Sequence, residues 1–169
     1  MSASWRSWLS EDAAAAIRLA AERAHPNETG GVLVGVHSAG RPWITQAIEL
    51  TTSHPRPRFY EPPKGSRQAA VRRAARHDRR LGYLGEWHSH PIDVPPSLTD
   101  IDTVKLLAAT GDCPRPVLLI ARRTANGYAL DARQWSGRSL RQLRVVCAGP
   151  LPTGERPAGG TRLTRRSHA

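Results

Sequence analysis

The chemistry-bearing stretch of this chain is His88-Ser89-His90-Pro91, followed after a short loop by Ser97-Leu98-Thr99-Asp100. Tyr83, Leu84 and Trp87 mark the preceding run as the end of a buried strand. Side chains two apart on a strand share a face, so the imidazoles of His88 and His90 converge. Ser97-x-x-Asp100 has the form of a capping signal ahead of the apolar positions Ile101, Val104 and Leu107, which offers Asp100 as a third ligand at the start of a helix. Asp102 competes for that role, but on a helix it lies about 200° around from Asp100, and Asp100 is preferred. For zinc, three protein ligands leave the fourth tetrahedral position to water, the composition of a catalytic site and not of a closed structural one. A His-x-His pair by itself is a weak signal, since two histidines on one strand face arise by chance at surfaces.

The elements that position these residues can be read along the chain. Ser10, Glu11 and Asp12 begin a helix, because the hydroxyl caps free N–H groups and the acids suit the positive end of the dipole. That helix runs through the alanines to about Ala24 and stops at Pro26. Glu28 then stands on the connection into a strand, Val32 to Val36, with Gly30 and Gly31 letting the backbone turn tightly or lie close to a neighbour. Ser38-Ala39-Gly40 reads as a hairpin loop into Trp43–Leu50, and Pro55 to Pro63 bracket a short strand-like piece, Arg58-Phe59-Tyr60. Ser66 opens a second helix, Arg67 to Arg80, with Ala70, Val71, Ala74 and Ala75 as its apolar stripe. After the histidine strand and the Ser97 helix, which Gly111 stops, come a buried strand at Pro116–Arg122, a hairpin turn at Asn126-Gly127, a strand from Tyr128 to Trp135, and a last helix turn or strand within Leu140–Val146.

The 169 residues suffice for one domain with its own core, expected over residues 1–147. Residues 148–169, rich in Pro, Gly, Thr and Arg, read as a disordered basic tail. Lys and Arg outnumber Asp and Glu by 11 and the pI is near 11.2, which favours an acidic partner. Six arginines crowd the 67–80 helix against Asp78 alone. Such a face is usually solvated, yet it also suits phosphates or an acidic protein surface, and any nucleic-acid binding is expected to be non-specific because no recognition motif accompanies it. Cys113 and Cys147 stand in no metal or redox spacing and point to a reducing cytoplasm. No basic start precedes an apolar run and no membrane-length apolar stretch occurs, so neither secretion nor a membrane span is expected.

With Glu28 upstream in Glu28-Thr29-Gly30-Gly31-Val32-Leu33-Val34-Gly35, these residues resemble the JAMM (JAB1/MPN/Mov34) zinc metalloproteases, whose pattern is a distant Glu, then His-Ser/Thr-His-Pro, then Ser-x-x-Asp. Glu28, His88, His90, Ser97 and Asp100 match in order and type. The family usually has seven residues between the second His and the Ser; here Pro91 to Pro96 makes six, a loop shortened by one with the Ser-to-Asp spacing kept. The resemblance spans roughly residues 10–146, looks most like the bacterial branch in Gly85-Glu86-Trp87-His88-Ser89-His90-Pro91, and implies a single mixed-sheet α/β/α sandwich of the cytidine-deaminase-like type.

What the resemblance implies for function is specific. His88, His90 and Asp100 hold Zn2+, Glu28 takes the proton of a water and passes it to a leaving amine, and Ser97 donates to the developing oxyanion besides capping its helix. The reaction is hydrolysis of an amide after the C-terminal glycine of a ubiquitin-like protein, in deconjugation or precursor processing, with E1-like and E2-like enzymes as operon partners. A shallow groove beside a strand is expected to take a Gly-Gly tail by sheet-edge addition, with Trp87 or the loop at Pro95 and Pro96 either walling the passage or serving as ordinary core and loop packing. The alternatives are processing of a sulfur-carrier protein, a basic nucleic-acid-associated protein similar to the RadC branch, and a non-catalytic MPN scaffold, although scaffolds typically lack the ligands present here.

Overall fold

The computed structural model describes residues 5–111 and 113–151. The elements run β1 (Arg6–Ser10), α1 (Glu11–Ala24), β2 (Gly30–Ser38), β3 (Arg41–Glu49), α2 (Ser66–His77), β4 (Gly82–His90), α3 (Leu98–Thr110), β5 (Val117–Thr124), β6 (Gly127–Trp135), β7 (Leu140–Gln142) and β8 (Arg144–Ala148). The strands form one mixed sheet in the order β7-β6-β5-β4-β2-β3-β1-β8. Central β2 is apolar on both faces, as a strand covered on both sides must be. Leu33 joins Leu9, Ile17, Leu84, Trp87 and Leu119 under α1. Val32 and Val34 meet Ala70 and Ala74 of α2 on the opposite face, where Val104 of α3 also packs on Leu118 and Ile120. The sheet therefore lies between α1 and the pair α2 and α3, the expected α/β/α sandwich.

β4 carries a bulge that decides which way the histidines face. It pairs antiparallel with β2, and the register slips between Leu33↔Gly85 and Val34↔Tyr83, so β4 holds one residue more than its neighbour there. Gly85 adopts φ +151° and lies so close to β5 that a Cβ would stand 1.9 Å from the Val117 carbonyl oxygen. The extra residue sends Leu84 and Trp87, three apart, into the same core under α1. Beyond it the ordinary alternation resumes, and Glu86, His88 and His90 project from the other face.

Several local expectations are corrected. α2 ends at His77, because Asp78 turns extended (φ −143°) and binds the Arg80 guanidinium, so Arg79 and Arg80 lie beyond the helix. Arg58-Phe59-Tyr60 forms no strand; a single bridge joins Arg56 to Phe59. The hairpin turn falls on Ala125-Asn126, one residue early, since Thr124 pairs with Gly127. Of the helix turn or strand expected within Leu140–Val146 the strand is found, as β7 and β8, with β8 parallel to β1, an edge element that the alternation of so short a run does not announce. The tail expected over 148–169 lies outside the described residues from 152 onward. Among the described residues no helix is long and apolar enough to cross a membrane.

Candidate metal centre

Alternation on β4 and a helix cap on α3 bring together three side chains that could hold a metal ion. His88 Nε2 stands 3.1 Å from His90 Nε2, and the Asp100 carboxylate lies 3.2 Å from the first and 3.5 Å from the second. Tetrahedral ligands about 2.1 Å from a zinc-sized ion stand about 3.4 Å apart, so these separations fit one small divalent cation. The donor chemistry fits as well. His90 Nδ1 lies 3.2 Å from the Val94 carbonyl, which can only accept, so Nδ1 carries the proton and Nε2 keeps its lone pair.

Asp100 is fixed by the capping box that its spacing from Ser97 foretold. Ser97 Oγ accepts the Asp100 N–H at 3.1 Å, and Asp100 Oδ2 accepts the Ser97 N–H at 2.6 Å and its hydroxyl at 2.8 Å. Burial would raise the Asp100 pKa, but the adjoining His88 and His90 imidazoles and the Ser97 N–H outweigh it and hold the carboxyl well below the usual range. The competitor Asp102 points to solvent, 3.0 Å from Lys105 Nζ, and is 72% exposed.

Glu28 reaches the same place through register. Gly30 pairs with His88, so two residues further back Glu28 comes opposite His90 on the same face. Its backbone is clamped: the Glu28 N–H donates to Arg56 O at 2.8 Å, the Thr29 N–H to Ser89 Oγ at 3.0 Å, and the Ser89 N–H to Thr29 O at 2.8 Å. Gly30 leaves the space in which the Tyr60 ring lies, and Tyr60 donates to Leu50 O at 2.8 Å, anchoring the Pro-rich loop over the strand. Glu28 is 8% exposed, where an isolated sequence reading expects a surface residue. Burial raises its pKa, opposed by the charges of His88 and His90.

These side chains share a groove of about 860 Å³. One wall is the loop from Pro57 to Pro62, the other the Ile92–Pro95 loop with Leu106 and Leu107 of α3. Phe59, Ile92, Val94 and Leu106 are exposed on these walls, apolar surface of the kind that marks a binding face. Two expectations change. Trp87 is 1% exposed in the opposite core and walls nothing, whereas Pro95 does line the groove. The sheet edges are β7 and β8, far from central β4, so an extended tail would meet loop backbone and not a free edge strand.

Three further contributors escaped sequence reading. Ser89 ties the Glu28 segment to the ligand strand, and the Val94 carbonyl sets the His90 tautomer. Glu86, two residues before His88 and hence on its face, lines the groove and pairs with Arg67, the one α2 arginine that turns inward to it. The period of two along β4 was the available signal for Glu86; Ser89 and Val94 act through pairings that no local pattern encodes.

Comparison with known proteins agrees with this geometry. The family model described as prokaryotic homologs of the JAB domain matches residues 10–136. The chain is similar to a CD-NTase/cGAS isopeptidase of Enterobacter hormaechei subsp. hoffmannii, 35% identical over 120 residues, covering 65% of this chain and 64% of that protein, slightly under two thirds of its length. It is also similar to the probable metalloprotease y4qB of Sinorhizobium fredii, 31% identical over 120 residues, covering 67% of this chain and 73% of that one. Its fold is that of protein DSY2949 from Desulfitobacterium hafniense, whose solution structure superposes with a TM-score of 0.67 at 18% identity over 86% of this chain and 94% of that one.

Proposed function

Because the chain belongs to the family of prokaryotic JAB-domain homologues, we propose that it is a metal-dependent peptidase of the isopeptidase type. The observation that carries this reading is the convergence of His88, His90 and Asp100 on one point of a groove into which buried Glu28 also faces. His88, His90 and Asp100 are the ligands of one zinc ion, which when bound supplies Lewis acidity and eases deprotonation of a water. Glu28 accepts that proton on its carboxylate as the water attacks the amide carbonyl, then delivers it to the departing amine as the C–N bond breaks. A carboxylate whose proton affinity burial has raised suits both halves of this transfer. Ser97 keeps the Asp100 N–H on its lone pair while its hydroxyl hydrogen turns from Asp100 Oδ2 to the developing oxyanion, a contact typically worth about 3 kcal/mol.

The substrate is the C-terminal tail of a ubiquitin-like protein, cut after its terminal glycine to release a lysine amine or a fused peptide. An isopeptidase among the similar proteins supports this class, and a conjugate-type substrate accords with a groove of about 860 Å³. Partner enzymes of the E1-like and E2-like kind follow from the same reading. The test offers purified enzyme a ubiquitin-like fusion and a lysine conjugate, with and without a chelator. Cleavage that a chelator abolishes and zinc restores supports the proposal, and no cleavage by zinc-loaded enzyme refutes this substrate class.

A further inference from the structure

The end of the sheet opposite the histidines carries a cluster of positive charge that no ion pair offsets among the described residues. β4 and β5 run parallel with Val117 opposite Gly85 and Arg122 opposite His90, so the segment entering β5 lies about 20 Å along the strands from the metal centre. There Trp5, Arg115, Ser136, Gly137, Arg138 and Arg141 line a hollow of about 510 Å³. The Arg115 and Arg141 guanidinium groups stand 5.0 Å and 5.9 Å from the centre of the Trp5 ring, two like charges on one indole, and Arg138 joins them from the β6–β7 turn. Among the described residues none of the three forms an ion pair. Asp131, the acid carried by β6, is taken up by Arg133 and Gln142.

The backbone that carries the arginines is held in place. Buried Gln134 donates to the Arg115 carbonyl at 3.0 Å, and the Trp135 N–H to Pro116 O at 3.0 Å. The Trp5 carbonyl accepts the Arg144 N–H at 2.8 Å, and Ser136 closes the turn around Arg138 through Ser139 O at 2.9 Å. These bonds fix the backbone from which three exposed guanidinium groups project around one hollow, where like charges favour an anion between them, and guanidinium forks match phosphate oxygens two at a time. The hollow, about 510 Å³ and lined in part by Trp5, has room for several such groups. We infer that it binds a small polyphosphate-bearing ligand of nucleotide size, with Arg115, Arg138 and Arg141 on the phosphates. This site is separate from the metal groove and does not depend on the peptidase reading.

The test is calorimetric titration of the full-length protein with ATP and with inorganic triphosphate, at about 150 mM salt so that diffuse attraction is screened. Both probes should bind at one site per chain. Arg115→Ala with Arg138→Ala should weaken each by about tenfold or more, whereas Arg72→Ala with Arg76→Ala on α2 should change neither by more than about twofold. Arg138→Glu, in an exposed turn whose loss leaves the core intact, should abolish binding at an unchanged melting temperature. Equal weakening by the two double variants would reduce the effect to the general charge of a basic protein and overturn the inference. Binding of ATP without triphosphate would overturn phosphate recognition, and tight binding of a single-stranded oligonucleotide without either small probe would replace the ligand by a nucleic acid.

Discussion

The start of β2 and the middle of β6 each bury a carboxylate, and they treat it in opposite ways. Glu28 at the first is 8% exposed and accepts no hydrogen bond on its carboxylate among the described residues. Asp131 at the second is 6% exposed, yet Arg133 donates at 3.0 Å and Gln142 at 2.9 Å, with the Arg122 guanidinium 3.9 Å away. Burial raises the proton affinity of each. At Glu28 that effect stands, while at Asp131 the donors and charges overcome it and the pKa falls below its ordinary value. Donor number, and not depth, separates a carboxyl poised to exchange a proton from one that braces a sheet.

The sharpest way to break this contrast removes what surrounds Glu28. His88→Ala with His90→Ala should abolish both metal binding and turnover, read by elemental analysis and by a peptidase assay; unchanged metal content would move the centre elsewhere. Glu28→Gln comes next. It should keep the metal and the fold while lowering turnover by a factor of about 10² to 10⁴. Its melting temperature should not fall, because the amide removes an uncompensated buried acid. Loss of metal in that variant would make Glu28 a ligand and end its assignment as the proton carrier.

Asp131→Asn should do the reverse, costing about 2 kcal/mol of stability while activity stays within about twofold. The sign of its pH dependence follows from the lowered pKa. The stabilisation is complete above the unfolded value of about 3.9 and is lost as pH falls through the lower folded value. Denaturation curves of wild type and variant should therefore lie apart at pH 6 and draw together toward about pH 2, and a constant gap would show that the charge of Asp131 contributes nothing. The smallest effect is expected for Ser89→Ala. The buried Thr29 N–H loses its acceptor, which costs about 1 kcal/mol, and turnover falls with metal content unchanged because only the Glu28 segment is loosened.

How much of this was legible in the sequence depended on range. Patterns closing within four residues were readable: the Ser10 cap, the Ser97–Asp100 box and the period-two run through His88 and His90. Glu28 could be proposed only through family resemblance, since its burial arises from pairing across 60 residues with Ser89 and from the loop carbonyl of Arg56. Trp87 was left open between groove wall and core, although its place next to His88 puts it on the opposite face; only the bulge at Gly85, which lets Leu84 share that face, was hidden from the sequence. β1 was missed since a five-residue strand takes its meaning from β3 and from β8 at the far end of the chain. Arg115, Arg138 and Arg141 meet only after β5, β6 and β7 have been laid side by side.

The bulge in β4 has a consequence for how this molecule tolerates change. Which side of the sheet the imidazoles occupy is a matter of parity, fixed by the number of residues between Tyr83 and His88 and not by their kind. A point substitution alters a side chain where it stands, and selection can grade its effect. Removing one residue from this span is different in type: it would carry Trp87 into the groove and both histidines into the alanine-lined core beneath α1, exchanging wet and dry in a single step. The span between Gly85 and His88 should therefore keep its length even where a side chain is exchanged, whereas the six-residue loop from Pro91 to Pro96 lies outside that count and can change length without turning the histidines over, provided a carbonyl still meets His90 Nδ1.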